Sequence, residues 1–165
     1  MRHIAVRMSC ALFVSAWALG GVGHAIASPG PEGPHRATPN ILGAYPPDLV
    51  EIYYNSPGRD NGSNKSLNGE WFKFYDQASH GYRGITVSVS DAAGNTWVGK
   101  LTINPGASVK VHTGKGKNTA TDLYWGRSSY AWNNTADTAT YSAAGEVWET
   151  CSYDDATRRS TTCNG

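Results

Sequence analysis

The sequence predicts an all-β fold, a sandwich built as a single domain, and three observations carry that expectation. Short runs of alternating apolar residues recur at roughly 8 to 12 residue spacing, Gly-containing turns separate them, and no stretch sustains a helical period.

Taken in order, residues 1–27 read as a secretory signal peptide. Arg2 and Arg7 charge its start, residues 8–22 are mostly apolar, and Ala25-Ile26-Ala27 offers a cleavage site between Ala27 and Ser28. The apolar run of about 15 residues falls short of the roughly 20 that a membrane-spanning helix requires. Arg-Arg is absent from the start and no lipoprotein-type Cys follows the apolar run, so the expectation is a secreted, extracellular product. Residues 28–48 hold six of the eight prolines and few periodic apolar residues, which reads as a linker or ordered arm. Taking 27 of 165 residues away leaves 138, enough for one domain over residues 49–165 that buries roughly two thirds of its unfolded surface. Losing Arg2 and Arg7 from 14 basic residues leaves 12 against 13 acids, a net charge of −1, which does not fit a globally basic nucleic-acid binder.

Residues 49–54 alternate, Val50, Ile52 and Tyr54 against Leu49, Glu51 and Tyr53, predicting a strand with Glu51 toward water. Residues 56–69 are turn chemistry throughout. Asp60, Asn61 and Asn64 offer oxygen ligands there, but the acid count and closing Glu of a twelve-residue calcium loop are missing, so a polar loop is expected. Residues 70–75 open the next strand, with Phe72 and Phe74 on the core face and Lys73 and Tyr75 on the other. Residues 90–94 and 141–145 repeat one device, a type I turn closed by a left-handed Gly94 or Gly145, which predicts two hairpins. Each is followed by a strand carrying a Trp, Trp97 and Trp148. Pro105-Gly106 makes another break before residues 108–112.

Residues 112–141 fit neither a helix nor a plain loop. Gly114, Gly116 and Gly126 are expected at φ > 0, and Leu123, Tyr124, Trp125 and Trp132 carry more apolar surface than a solvated loop keeps, so a wrapped, packed connection is expected. Cys10 falls within the leader, leaving Cys151 and Cys163 as an even pair that reads as a disulfide in an exported chain. Such a short loop is worth about 3 kcal/mol and pins the C-terminus to the last strand. A redox or metal role lacks C-x-x-C spacing and neighbouring His.

The segments VHTGKG, DLYWG, WNN and DTATY, following LTINPGASV and preceded by LNGEWFKF, resemble the lamin-tail domain of nuclear lamins and secreted bacterial proteins. The resemblance spans about residues 49–153 and implies an immunoglobulin-like β-sandwich that serves as an interaction module and brings no catalytic residues. Thr86 and Val87 stand where that family usually carries Gly and Trp. The chain has no heptad-repeat rod, and Cys163-Asn-Gly is one residue short of a prenylation box, so nuclear functions do not carry over.

Outside the leader the histidines are His35, His80 and His112, with no spacing that builds a zinc site. His112 reads as a satisfied structural residue. Gly-Lys-Gly at 114–116 lacks the helix and G-K-[ST] ending of a phosphate loop, and no G-x-S-x-G occurs. No cofactor and no metal are implied. The favoured reading is a non-catalytic binding or tethering module. Its alternatives are a small extracellular hydrolase assembled from Asp122, Asp137 and His112, and a carbohydrate-binding module using exposed Trp97, Trp148 or Tyr130. Trp residues on alternating sandwich strands usually serve the core.

Charge is polarised along the chain. Residues 100–127 hold five cations against Asp122, a balance of +4, whereas residues 128–155 hold five acids and no Lys or Arg, a balance of −5. One reading pairs these segments as neighbouring strands, with ion pairs of about 0.2 to 1 kcal/mol absorbing the asymmetry. The other sets Lys115 and Lys117, flanked by Gly114 and Gly116, on a flexible turn, leading a patch with Lys110 and Arg127 that meets an anionic extracellular polymer such as DNA or a wall phosphate polymer. Intact-mass analysis of secreted protein is expected to show a chain beginning at Ser28, and a retained Met1 in the medium would overturn the leader reading.

Overall fold

Alternation decides which side chains face inward, and in the computed structural model, which describes residues 45–163, it produces two sheets on one shared core. The signal-peptide reading, its Ala27–Ser28 cleavage site and nearly all of the Pro-rich segment lie outside the described residues. The strands are β1 (Asp48–Tyr53), β2 (Trp71–Tyr75), β3 (Tyr82–Ser90), β4 (Thr96–Ile103), β5 (Ser108–His112), β6 (Asp122–Tyr124), β7 (Asp137–Ala143), β8 (Glu146–Tyr153) and β9 (Ser160–Thr162). One sheet has the order β6-β5-β2-β1-β9 and the other β4-β3-β7-β8. Every pairing is antiparallel except that of β5 with β6.

Phe72 and Phe74 point inward as their spacing predicts, and Trp97 and Tyr141 of the opposite sheet pack on them. Val87 is buried beside Val89, while Thr86 faces water. β1 departs from simple alternation. Its register against β2 slips between Leu49 and Glu51, so Leu49, Ile52 and Tyr54 all turn inward and Val50 is only half-buried. One extra residue on a bulged strand reverses the phase of everything before it. Glu51 stays on the outer face, where Lys73 Nζ donates to it at 2.5 Å. The packed region opens slightly earlier than residue 49, with Pro46, Pro47 and Asp48 already buried.

The stretch expected as loop over 56–69 contains a one-turn helix, α1 (Asn64–Leu67). The Ser63 hydroxyl accepts from Ser66 N–H and caps it, while Leu67 anchors it in the protein. Both expected hairpins are present, β3 with β4 and β7 with β8. In the first, Gly94 takes φ 84°. The second differs from a type I turn: Ala143 pairs with Glu146, leaving Ala144 (φ 51°) and Gly145 (φ 88°) as a two-residue loop with both residues left-handed, the requirement of a I′ turn.

The long connection after β5 is wrapped and packed. Within it β6 runs parallel to β5, the Trp125 N–H donates to His112 O at 2.8 Å, and Trp132 is buried. Gly126 has the expected positive φ of 84°, whereas Gly114 and Gly116 do not. Close approach requires them instead. A Cβ at Gly114 would lie 2.5 Å from Asn68 Oδ1, and one at Gly116 would lie 2.3 Å from the Tyr124 ring.

Cys151 and Cys163 are joined, with Cα atoms 5.3 Å apart. The bond does more than hold the chain end. It links edge strand β8 of one sheet to the segment just after β9, the edge of the other, so it fastens the two sheets along one side. Cys163 N–H adds a hydrogen bond to Val50 O at 3.0 Å. Replacing both cysteines by Ala is expected to lower unfolding free energy by about 3 kcal/mol in denaturant titration, and an unchanged midpoint would contradict this.

Candidate functional site

The parallel register of β5 with β6 sets Lys110 opposite Asp122 and His112 opposite Tyr124 on the outer face of the five-stranded sheet. The His112 Nδ1–H donates to Asn68 O at 3.0 Å, Nε2 meets Asp122 Oδ1 at 3.0 Å, and the ring stacks on Tyr124 with centroids 5.1 Å apart. Asp122 Oδ2 accepts from the Thr121 hydroxyl at 2.6 Å. That hydroxyl and His112 hold the Asp122 carboxyl below the usual carboxylate range. A general base needs a ring nitrogen aimed at a substrate proton. Both nitrogens of His112 are instead spent tying β5 to β6 and to the end of α1.

Asp137 is not brought to that pair. It opens β7, where its carboxylate accepts from the N–H groups of Ala92, Asn133 and Thr138 and from the Asn133 side-chain amide. Four donors, from two loops and from β7 itself, make it a brace between the first hairpin and the approach to β7. The aromatic candidates are likewise absorbed. Trp97 and Trp148 are each 6% exposed, and Tyr130 is half-buried with its hydroxyl held by Ser66 Oγ at 2.6 Å and Gly62 N–H at 3.2 Å. Trp97 and Trp148 are therefore core residues rather than exposed rings, and the Tyr130 hydroxyl braces α1. Among the described residues no group of three or more His, Cys, Asp or Glu side chains is gathered to hold a metal. Asp60 accepts from Asn134, Asn61 from Ser63 N–H, and Asn64 from Lys115 N–H.

One functional group escapes a reading by composition. Glu70 is 1% exposed, and its Oε2 accepts from Ala131 N–H at 3.0 Å while its backbone oxygen accepts from Thr113 N–H at 3.1 Å. It fastens both ends of the long connection to β2. Burial pushes the carboxyl up to about 8, against the smaller opposing pull of the Ala131 and Trp132 N–H groups and the Thr113 hydroxyl. The signal was in the parity: Glu70 stands two residues before Phe72, so it shares the inward face.

The turn after β5 is clamped, which corrects the expectation of flexibility. Lys115 N–H donates to Asn64 Oδ1 at 2.7 Å, and Lys115 O accepts from the Asn64 and Asn68 amides at 2.9 and 3.0 Å. Lys115 and Lys117 are exposed and form no ion pair with a described residue. The other two cations of the expected patch are more committed. Lys110 Nζ lies 4.1 Å from the Trp71 ring centroid, and Arg127 stacks 5.1 Å over Trp125 while donating to Ser129 and Tyr130 O. The charge asymmetry is not absorbed by strand pairing. β5 and β6 belong to one sheet, β7 and β8 to the other, and β4 pairs with β3 alone. The ion pairs between described residues, Lys73–Glu51, His112–Asp122 and Arg158–Asp155, do not join the basic half to the acidic one.

The chain matches no protein-family model and no curated protein.

Glu70 gives a pH dependence of defined sign. Between its ordinary value of 4.5 and about 8 the folded chain retains a proton that the unfolded chain has released, so stability falls as pH rises across that window and levels off above it. The slope from this one group reaches at most about 1.4 kcal/mol per pH unit. Glu70→Gln is expected to flatten the fall, measured by denaturant midpoints from pH 5 to 9; a slope equal to wild type would contradict it.

Proposed function

We propose that the chain is a secreted, non-catalytic binding or tethering module, immunoglobulin-like and of lamin-tail type, whose Lys115–Lys117 turn meets an anionic extracellular polymer. The observation that carries this reading is that two lysines forming no ion pair with a described residue sit on a turn whose Lys115 backbone shares three hydrogen bonds with Asn64 and Asn68. A turn already held in one geometry loses little conformational freedom on binding. The non-catalytic part of the reading is supported by the engagement of His112, Asp122 and Asp137 in holding strands and loops together. Secretion is supported by the leader-like residues 1–27 and by a disulfide suited to an oxidising compartment. DNA and a wall phosphate polymer both present the regular negative charge that such a turn attracts.

Titrating labelled DNA and wall phosphate polymer against the purified chain at several salt concentrations tests the reading. Affinity is expected to fall as salt rises, and Lys115→Ala with Lys117→Ala is expected to shallow the log–log slope by about two. Absence of binding at low salt, or a double variant indistinguishable from wild type, counts against it.

A further inference from the structure

We infer that the cleft between residues 57–63 and α1, rimmed by Arg59 and Lys65, is a phosphate pocket that takes one phosphodiester of a polymer lying along the Lys115–Lys117 turn. The inference rests on the reading just given and adds a site to it. The cleft has a volume of about 380 Å³ and is lined by Arg59, Asn61, Ser63, Lys65 and Asn68, among others, with no carboxylate in its wall. Two acids stand nearby in sequence: Asp60, whose Oδ2 accepts from Asn134 Nδ2 at 2.7 Å, and Glu70, which is buried with its Oε2 on Ala131 N–H; Arg59 makes no ion pair with a described residue. Two cations thus flank a hollow without a neutralising partner inside it.

The hollow is held open by contacts from distant parts of the chain. The Tyr130 hydroxyl receives the Gly62 N–H at 3.2 Å and hydrogen-bonds Ser66 Oγ at 2.6 Å, joining the loop to α1. Ser56 Oγ donates to Ser66 O at 2.6 Å behind it, and Asn61 Oδ1 receives the Ser63 N–H at 3.0 Å. The same short helix carries the clamp on the basic turn. Asn64, next to Lys65, exchanges two hydrogen bonds with the Lys115 backbone, which ties the helix to the turn although they are far apart in sequence. Asn68, which lines the cleft, also donates to Lys115 O at 3.0 Å, so the cleft wall and the basic turn share a residue.

A phosphodiester suits this arrangement better than a carboxylate. Its two free oxygens diverge from a tetrahedral centre, so one meets the planar fork of an Arg while the other meets a Lys from a different wall. A carboxylate points both oxygens the same way within one plane. A chain of phosphodiesters also continues past the pocket toward Lys115 and Lys117.

The test uses the purified full chain, fluorescence anisotropy, and two probes, a labelled single-stranded DNA and a labelled poly(glycerol phosphate), with hyaluronate as the carboxylate polymer. Arg59→Ala with Lys65→Ala is expected to weaken both phosphodiester probes at least tenfold at low salt and to shallow the salt slope by about two, as two phosphate contacts disappear. Arg59→Lys is expected to recover part of the loss, and the far-ultraviolet circular dichroism and thermal midpoint are expected to stay those of wild type, because both side chains are exposed. If Lys115→Ala with Lys117→Ala weakens binding while Arg59→Ala with Lys65→Ala does not, the pocket is overturned and the basic-turn reading stands. If wild type binds neither probe at low salt, both fall. Hyaluronate binding as tight as that of the phosphodiester probes overturns the assignment of phosphate.

Discussion

The edge of one aromatic ring against four others holds the described fold together. Phe72 lies on β2, in the middle of the five-stranded sheet, and makes T-shaped contacts with Phe74, Trp97, Trp125 and Trp132 at centroid distances of 5.6 to 6.3 Å. Those partners come from three places: its own strand, the opposite sheet, and the long connection between β5 and β7. Each such pair is worth about 0.5 to 1.5 kcal/mol beyond the apolar area it removes from water. The gain requires the connection to return over the sheet. Glu70, two residues earlier on the same face, fixes where it returns by holding Ala131 and Thr113. A buried carboxyl group and a ring cluster therefore act as one anchor, the first setting position and the second adding apolar contact.

How much of this was legible in the chain depends on the range of the cause. Phe72 and Phe74 were readable because two residues set the face of a strand, and the hairpins because Asp91 to Gly94 and Ala144-Gly145 satisfy local backbone demands. The bulge at Val50 has no marker in composition; it exists because Leu49 and Ile52 must both reach the core opposite β2. β6 has three residues and little strand character of its own, and its place follows from β5 beside it. Gly114 and Gly116 were recognisable as constrained, but the constraint is the nearness of Asn68 and Tyr124 rather than their own φ. The basic end was half legible. Lys115 and Lys117 stand out in a charge count along the chain, whereas Arg59 and Lys65 join them only through a hydrogen bond between residues 51 positions apart.

The charge asymmetry acquires a different meaning once the topology is known. Basic β5 and its following turn belong to one sheet and acidic β7 and β8 to the other, so the strands that carry opposite charge are not hydrogen-bonded neighbours. The lysines at the turn, which pair with no acid among the described residues, keep their positive field.

The chemistry of the clamp preserves that field. Asn64 and Asn68 stand four residues apart, a spacing that puts both side chains on one side of the helical turn of α1 and its cap. An amide both donates and accepts, so Asn64 alone satisfies the N–H and the C=O of Lys115. An Asp at 64 would accept the same N–H, but it would place a negative charge beside Lys65 and Lys115 and leave the Lys115 carbonyl with one donor fewer. Neutral side chains thus fix the backbone of a cationic turn without compensating its charge. Gly114 completes the arrangement, because any Cβ there would displace the Asn68 amide and release the turn from the helix.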